Sequence, residues 1–269
     1  MIEFSLQKRR ILLAYCAMRL ATPCMFGLLL TAELASAQTV KIASPTPTST
    51  PALPELRPAL LGKGPDSLTN RVDTADLIKK GQKDAAVMFS CLVAPTGDVV
   101  RSACYRGTRG SELLEQEVLK RLANAKFLPA IHNHQPVIAV FYGTVTFANV
   151  NGKPRLRIFC NQQLGEVKKE NDFIDPQPYV GPGSKFTGIH YPDTATSVMV
   201  TGVVELMLDV DAAGNLKNRQ VVTEDPPYLS FGQAALNDFS GAKFIPAFRN
   251  GKPVDSKVTI PIYYKPSGF

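Results

Sequence analysis

The feature that most constrains this sequence is a repeat at one fixed spacing. Ala125-Lys126-Phe127-Leu128-Pro129-Ala130 recurs as Ala242-Lys243-Phe244-Ile245-Pro246-Ala247. Asn133 then matches Asn250, and Pro136-Val137 matches Pro253-Val254. The offset is 242 − 125 = 117, and it also sets Val93 on Val210, Gly97 on Gly214 and Leu119 on Leu236. No gap is needed between about Ala85 and Phe147. One offset that serves a turn, a helix and a strand implies a duplicated unit.

Each unit reads as strand, strand, helix, strand. In the second, Val204, Leu206, Leu208 and Val210 alternate on one face of a strand over Thr201–Val210. Asp211-Ala212-Ala213-Gly214-Asn215 is a turn, with Gly214 suited to positive φ. Leu216–Thr223 returns as a strand, and Pro226-Pro227 breaks it. Phe231, Ala234, Ala235 and Phe239 fall at helical spacing within Tyr228–Phe239, and Val254–Tyr264 makes the third strand. The first unit follows suit with Ala86–Val93, a Pro95–Gly97 turn, Asp98–Tyr105, Ser111–Ala123 and Pro136–Phe147. The fold class is therefore α+β: two tandem small domains, each an antiparallel three-stranded sheet with one helix packed on it. Phe127 and Phe244, the first large apolar residues after each helix, are expected between helix and sheet. The domains are set at 71–160 and 186–269, with a polar, turn-rich linker at 161–185 that lets each unfold separately.

The N-terminus reads as an export signal. Lys8, Arg9 and Arg10 precede an apolar stretch whose best core is Met25–Leu30, and Ala35-Ser36-Ala37 fits a cleavage site before Gln38. The competing reading is a retained anchor; Arg19 within the apolar stretch argues against it, since a spanning helix needs ~20 mostly apolar residues. Residues 1–37 are thus taken as signal and 38–70 as a tether, in which Pro45, Pro47, Pro51, Pro54, Pro58 and Pro65 enforce extended backbone. The formal charge of +7 falls to +5 without Met1–Ala37, which removes four basic and two acidic residues. No basic run interleaved with aromatic residues points to nucleic acid.

The second unit resembles the C-terminal domain of the TonB family. The resemblance rests on Tyr191-Pro192, Gly202-Val203-Val204-Glu205-Leu206, Gly214, Val221-Val222, Ala234-Ala235-Leu236, Phe244-x-Pro246-Ala247, Gly251-x-Pro253-Val254 and Val258-x-Ile260-Pro261-Ile262. The first unit keeps Gly97, Phe127-x-Pro129-Ala130 and Pro136-Val137 and is similar but degenerate. The resemblance implies a periplasmic domain that grips a short segment of an outer-membrane transporter by adding it as a strand, with affinity from backbone hydrogen bonds. It makes the third strand of each unit a sheet edge, and so implies partner-binding positions at Val254, Val258, Ile260, Ile262 and Tyr264, and at Val137, Phe141 and Val145. The expected partner is a protein or peptide, with membrane contact only if the N-terminal segment is retained. The competing assignment is an energy transducer anchored in the inner membrane by one span. The family's anchor carries a histidine within the membrane, and here the first histidine is His132.

Candidate chemistry is sparse. His132-x-His134 could seed a metal site, but one pair falls short of a tetrahedral set, so a polar loop is expected. His190 belongs to a loop, and Glu112, Glu115 and Glu117 suit a helix start. No phosphate loop or nucleophile elbow is present, and the reading is of a protein without catalytic residues, metal or cofactor. Cys16 and Cys24 fall in the signal, which leaves Cys91, Cys104 and Cys160. In an oxidising compartment a Cys91–Cys104 disulfide is expected. One bulged residue after the hairpin would set paired positions to sum to 193 and make the two diagonal neighbours. Cys160 is the competitor.

Overall fold

The computed structural model describes residues 52–266. The signal and most of the tether therefore lie outside the described residues. In chain order the elements are β1 (Leu56–Arg57), β2 (Leu60–Leu61), α1 (Leu68–Arg71), α2 (Thr74–Lys79), β3 (Ala85–Val93), β4 (Val99–Gly107), α3 (Glu112–Leu122), β5 (Phe127–Leu128), β6 (Ala130–His132), β7 (Gln135–Val150) and β8 (Lys153–Phe159). There follow α4 (Leu164–Lys169), β9 (Phe173–Ile174), β10 (Gln177–Val180), α5 (Asp193–Thr196), β11 (Gly202–Val210), β12 (Leu216–Asp225), α6 (Phe231–Asp238), β13 (Phe244–Ile245), β14 (Ala247–Arg249), β15 (Lys252–Val254) and β16 (Ser256–Tyr264). The class is α+β, and the strand pairs are antiparallel.

Two sheets dominate. In one, β3 lies between β4 and β7; in the other, β11 lies between β12 and β16. Period-two alternation makes each sheet amphipathic: Val87, Phe89, Cys91 and Val93 are buried on β3, and Val204, Leu206, Leu208 and Val210 on β11. Helix α3 covers β3 and β4, and α6 covers β11 and β12. Phe127 and Phe244 are buried as expected.

The 117-residue offset recurs in the strand pairing. Bulges fall between Met88 and Phe89 and between Leu92 and Val93, and again between Glu205 and Leu206 and between Asp209 and Val210. The two hairpin glycines have φ of +82° and +81°, and each carbonyl accepts a hydrogen bond from the Phe that follows the helix, at 2.9 Å for Gly97–Phe127 and 3.0 Å for Gly214–Phe244. A Cβ on Gly214 would sit 2.0 Å from the Phe244 carbonyl oxygen, so glycine is required there by both contact and dihedral.

The same offset reaches further upstream than the sequence repeat. Leu56 pairs with His132 and Arg57 with Ile131, while Phe173 pairs with Arg249 and Ile174 with Phe248. Leu60 pairs with Leu128, and Gln177 with Ile245. The end of the expected tether and the middle of the expected linker are thus folded, at corresponding places. Pro58 and Ala59 are buried, and so is every residue from Phe173 to Tyr179.

That burial changes the relation between the halves. Strand β10 pairs through Gln177 and Pro178 with β13, and through Tyr179 and Val180 with β7. The side-chain amide of Gln177 accepts from the Ala59 N–H at 2.7 Å and donates to the Ala59 carbonyl at 3.0 Å. Ile245 and Phe248 of the second half belong to the first core, and Tyr142 of the first half belongs to the second. The stretch expected as a polar spacer is a shared interior, because its apolar side chains and its backbone groups find partners in both halves. By contacts, Thr50–Phe269 is one compact unit. Phe244→Ala is expected to cost ~3–5 kcal/mol and to shift a single unfolding transition of the whole unit, followed by calorimetry and by urea denaturation. Two resolved transitions, only one of them displaced, would show that the halves fold independently.

Candidate partner-binding edge

Strand β16 pairs with β11 along its whole length and with no other strand among the described residues. Val258, Ile260, Ile262 and Tyr264 turn their side chains into the core under α6. The alternate residues Lys257, Thr259, Pro261 and Tyr263 face the opposite side of the sheet. The Thr259 carbonyl accepts a hydrogen bond at 3.1 Å from the Gln163 side chain, which belongs to no part of this sheet. In an antiparallel ladder successive residues direct their backbone groups to opposite edges. Lys257, Thr259, Pro261 and Tyr263 therefore present theirs away from β11. Proline has no N–H, so Pro261 removes one donor from the open edge and none from the β11 ladder.

A cleft of about 370 Å³ runs beside the first part of that edge. Asp255–Val258 form one wall, Gln163–Glu166 the other, with Phe173 and Arg249 between them. The second wall is well fixed. Arg249 donates to both carboxylate oxygens of Glu166, at 3.0 and 3.1 Å, and its guanidinium lies 4.7 Å from the centre of the Phe173 ring. Asn171 also donates to Glu166. Arg249 and then Asn171 hold the Glu166 carboxyl down to about 2.

The corresponding edge in the first half is covered at both ends. Lys153–Phe159 of β8 pair with Thr144–Val150, and Tyr179 and Val180 of β10 pair with Ala139 and Ile138. Phe141 and Val145 point into the first core, and Val137 pairs with Ala130. Val145 therefore has strands on both sides and Val137 pairs with β6, while Phe141 lies in Val140–Gly143, which pairs with β3 alone among the described residues. In the second half, Val254 pairs with Ala247, and Val258, Ile260, Ile262 and Tyr264 direct their backbone groups to β11, so the outer edge is carried by the residues between them and not by the expected positions.

Residues 187–266 match the Gram-negative bacterial TonB protein C-terminal family. No curated protein matches the chain. TonB C-terminal domains act in energy transduction or interaction and not in catalysis, and the match connects this chain with outer-membrane transport through protein partners. The matched TonB C-terminal domain contains β11, β12, α6 and β16, and hence the open edge. Among the described residues no helix is long and apolar enough to cross a membrane.

The remaining candidate residues are engaged in structure. His132 stacks on Tyr179 with ring centres 4.5 Å apart, and its Nε2 lies 3.2 Å from the Tyr179 hydroxyl. Burial lowers its pKa. His134 Nδ1 lies 2.7 Å from the Leu53 carbonyl, so the two histidines engage different chain segments. His190 contacts Asp238 at 2.7 Å, and Glu117 accepts from the Asp73 N–H and from Arg121. Glu112 and Glu115 lie in the first turn of α3.

The expected disulfide is absent; Cys91, Cys104 and Cys160 are free thiols. The bulge is present and Cys104 pairs opposite Phe89, while Cys91 pairs opposite Ser102. The two cysteines are diagonal neighbours, ~7–8 Å apart in a typical ladder, beyond the usual disulfide span of ~4.4–6.8 Å. Burial pushes the thiols of Cys104 and Cys160 up to about 12 and that of Cys91 higher still, so none is activated as a nucleophile.

One group gave no signal in the sequence. Asp175 is buried between β9 and β10 in the chain, where its Oδ2 accepts from the Gln162 N–H at 2.9 Å. Burial pushes its carboxyl up to about 7, opposed by the Gln162 N–H and the Gln163 side chain. The ordinary value is 3.8. Between about pH 4 and 7 the folded chain therefore keeps a proton that the unfolded chain has released, and stability falls as pH rises through that window. Asp175→Asn is expected to gain stability relative to the natural chain as pH rises from 4 to 8, by up to a few kcal/mol at ~1.4 kcal/mol per pKa unit. Urea denaturation across that range measures it, and a difference independent of pH would contradict a buried, protonated Asp175.

Proposed function

We propose that this is a periplasmic TonB-like protein that binds a peptide or protein strand at the outer edge of β16, linked to outer-membrane transport, and performs no chemistry itself. The observation that carries this reading is the contrast between the two halves. Strand β16 has no second strand beside it among the described residues, while the corresponding edge of β7 carries β10 at Ile138 and Ala139 and β8 from Thr144 onward. The first half is read as a degenerate copy of the same domain, in support of which stand the shared bulges, hairpin glycines and strand registers at one offset. Its edge keeps only the short stretch Val140–Gly143 without a second strand, between β10 and β8, so binding is assigned to the second half. Backbone pairing supplies affinity that does not depend on the partner's sequence, and pockets beside the edge supply selection. Pro261 interrupts the row of donors and blunts the edge against indiscriminate pairing.

Export rests on the N-terminal basic and apolar segments followed by Ala35-Ser36-Ala37. The same apolar stretch motivates the anchored, energy-transducing alternative, and N-terminal sequencing of the mature protein separates the two: a start at Gln38 supports the periplasmic form, a retained Met25–Leu34 the anchored one.

Isotope-labelled protein titrated with synthetic peptides copying short segments of outer-membrane transporters is expected to show amide shifts along Asp255–Tyr264 and none along β7. Shifts confined to α6, or none at all, would remove strand addition as the activity.

A further inference from the structure

The first half contains, within its own chain, an occupant for the edge that the second half leaves open. Ile138 and Ala139 of β7 are flanked by Val180 and Tyr179 of β10. At the offset of 117 their counterparts are Asp255 and Ser256 (138 + 117 = 255; 139 + 117 = 256). Those two residues line the cleft beside β16. The buried Ser256 hydroxyl has no hydrogen-bond partner among the described residues. The charged residues lining the cleft are Glu166, Asp255, Arg249 and Lys257, two of each sign. A segment that stays near them gains nothing from net charge of either sign.

The Gln163 amide is placed between the cleft and the rest of the edge. It occupies the Thr259 carbonyl, the acceptor that a strand added along β16 would need. Its neighbour Gln162 is buried and fixed by Asp175, so the contact is delivered from an anchored turn at the start of α4. An anchored side chain that satisfies one edge acceptor excludes water and casual partners. It yields to a segment that offers a main-chain donor in its place.

We propose that the cleft seats an uncharged, extended segment of a partner protein beside Asp255 and Ser256, where Tyr179 and Val180 lie in the first half, and that this segment displaces Gln163 from Thr259. This rests on the strand-binding reading above and adds to it the place of entry, the character of the segment and the gate.

Two substitutions in the full chain test it, with the same transporter-derived peptides as probes. Gln163→Ala frees the acceptor and is expected to tighten binding about three- to tenfold, the scale of one hydrogen bond. Gly165→Trp projects a ring from the far wall of the cleft. A Cβ there meets nothing within 4 Å, so folding should be unaffected, as a melting curve would confirm. It is expected to weaken binding at least about tenfold, the effect of losing ~1.4 kcal/mol of contact. If peptides bind with shifts along Thr259–Tyr264 and neither substitution changes affinity, strand binding stands and the gated cleft is wrong. If no peptide binds, strand binding fails and the gate with it. Self-association in sedimentation that Gly165→Trp abolishes would assign the cleft to a second copy of the chain and overturn the proposal.

Discussion

The structure depends on one short strand. Gln177–Val180 hydrogen-bonds to β13 at one end and to β7 at the other, and the Gln177 amide holds the backbone of Ala59 on both its N–H and its carbonyl. A buried backbone group without a partner costs as much as a lost hydrogen bond. Here the partners of one segment lie in three distant parts of the chain, so none of them can be withdrawn alone. The two halves are joined by obligatory pairing, and the apolar residues that follow, Tyr179 among them, are buried as a consequence.

The same strand explains why two similar halves differ in what they offer. A sheet edge is reactive only where its N–H and carbonyl groups lack partners. In the first half, the long β7 is covered by the hairpin to β8 from Thr144 onward and by β10 at Ile138 and Ala139. In the second, β16 has Gln163 against one carbonyl and Pro261 in place of one donor, and pairs with no strand but β11 among the described residues. The far wall of the cleft is tied to both halves, since Gln162 donates to the Phe89 carbonyl while Arg249 holds Glu166. Arg106 reaching Glu205 adds a surface ion pair between the sheets, of the kind that contributes little by itself.

Much of this was legible in the residues. Alternation of apolar side chains along Ala85–Val93 and Gly202–Val210 fixed both central strands, and Gly97 and Gly214 marked hairpins that only a residue free to take positive φ allows. The bulge that sets paired positions to sum to 193 followed from which side chains must share the buried face, and it is present at Phe89, Ser90, Cys91 and Leu92. The bond inferred from that register is not, because a diagonal pair on a regular ladder stays too far apart. The expected linker was misjudged for a related reason. Asn161, Gln162, Asp175 and Gln177 look solvated by type, yet all four are buried and hydrogen-bonded to backbone.

By itself, then, the sequence determined the local elements, their order and the 117-residue offset between them, since periodicity and turn residues act within a few positions along the chain. It also carried the match of the second half to the TonB C-terminal family, because the motif residues are those that shape its sheet and turns. Only the tertiary structure decided which edge is open. That depends on where Lys153–Phe159 and Gln177–Val180 come to lie after long-range pairing, and strand pairing between distant segments leaves no periodic mark in either of them.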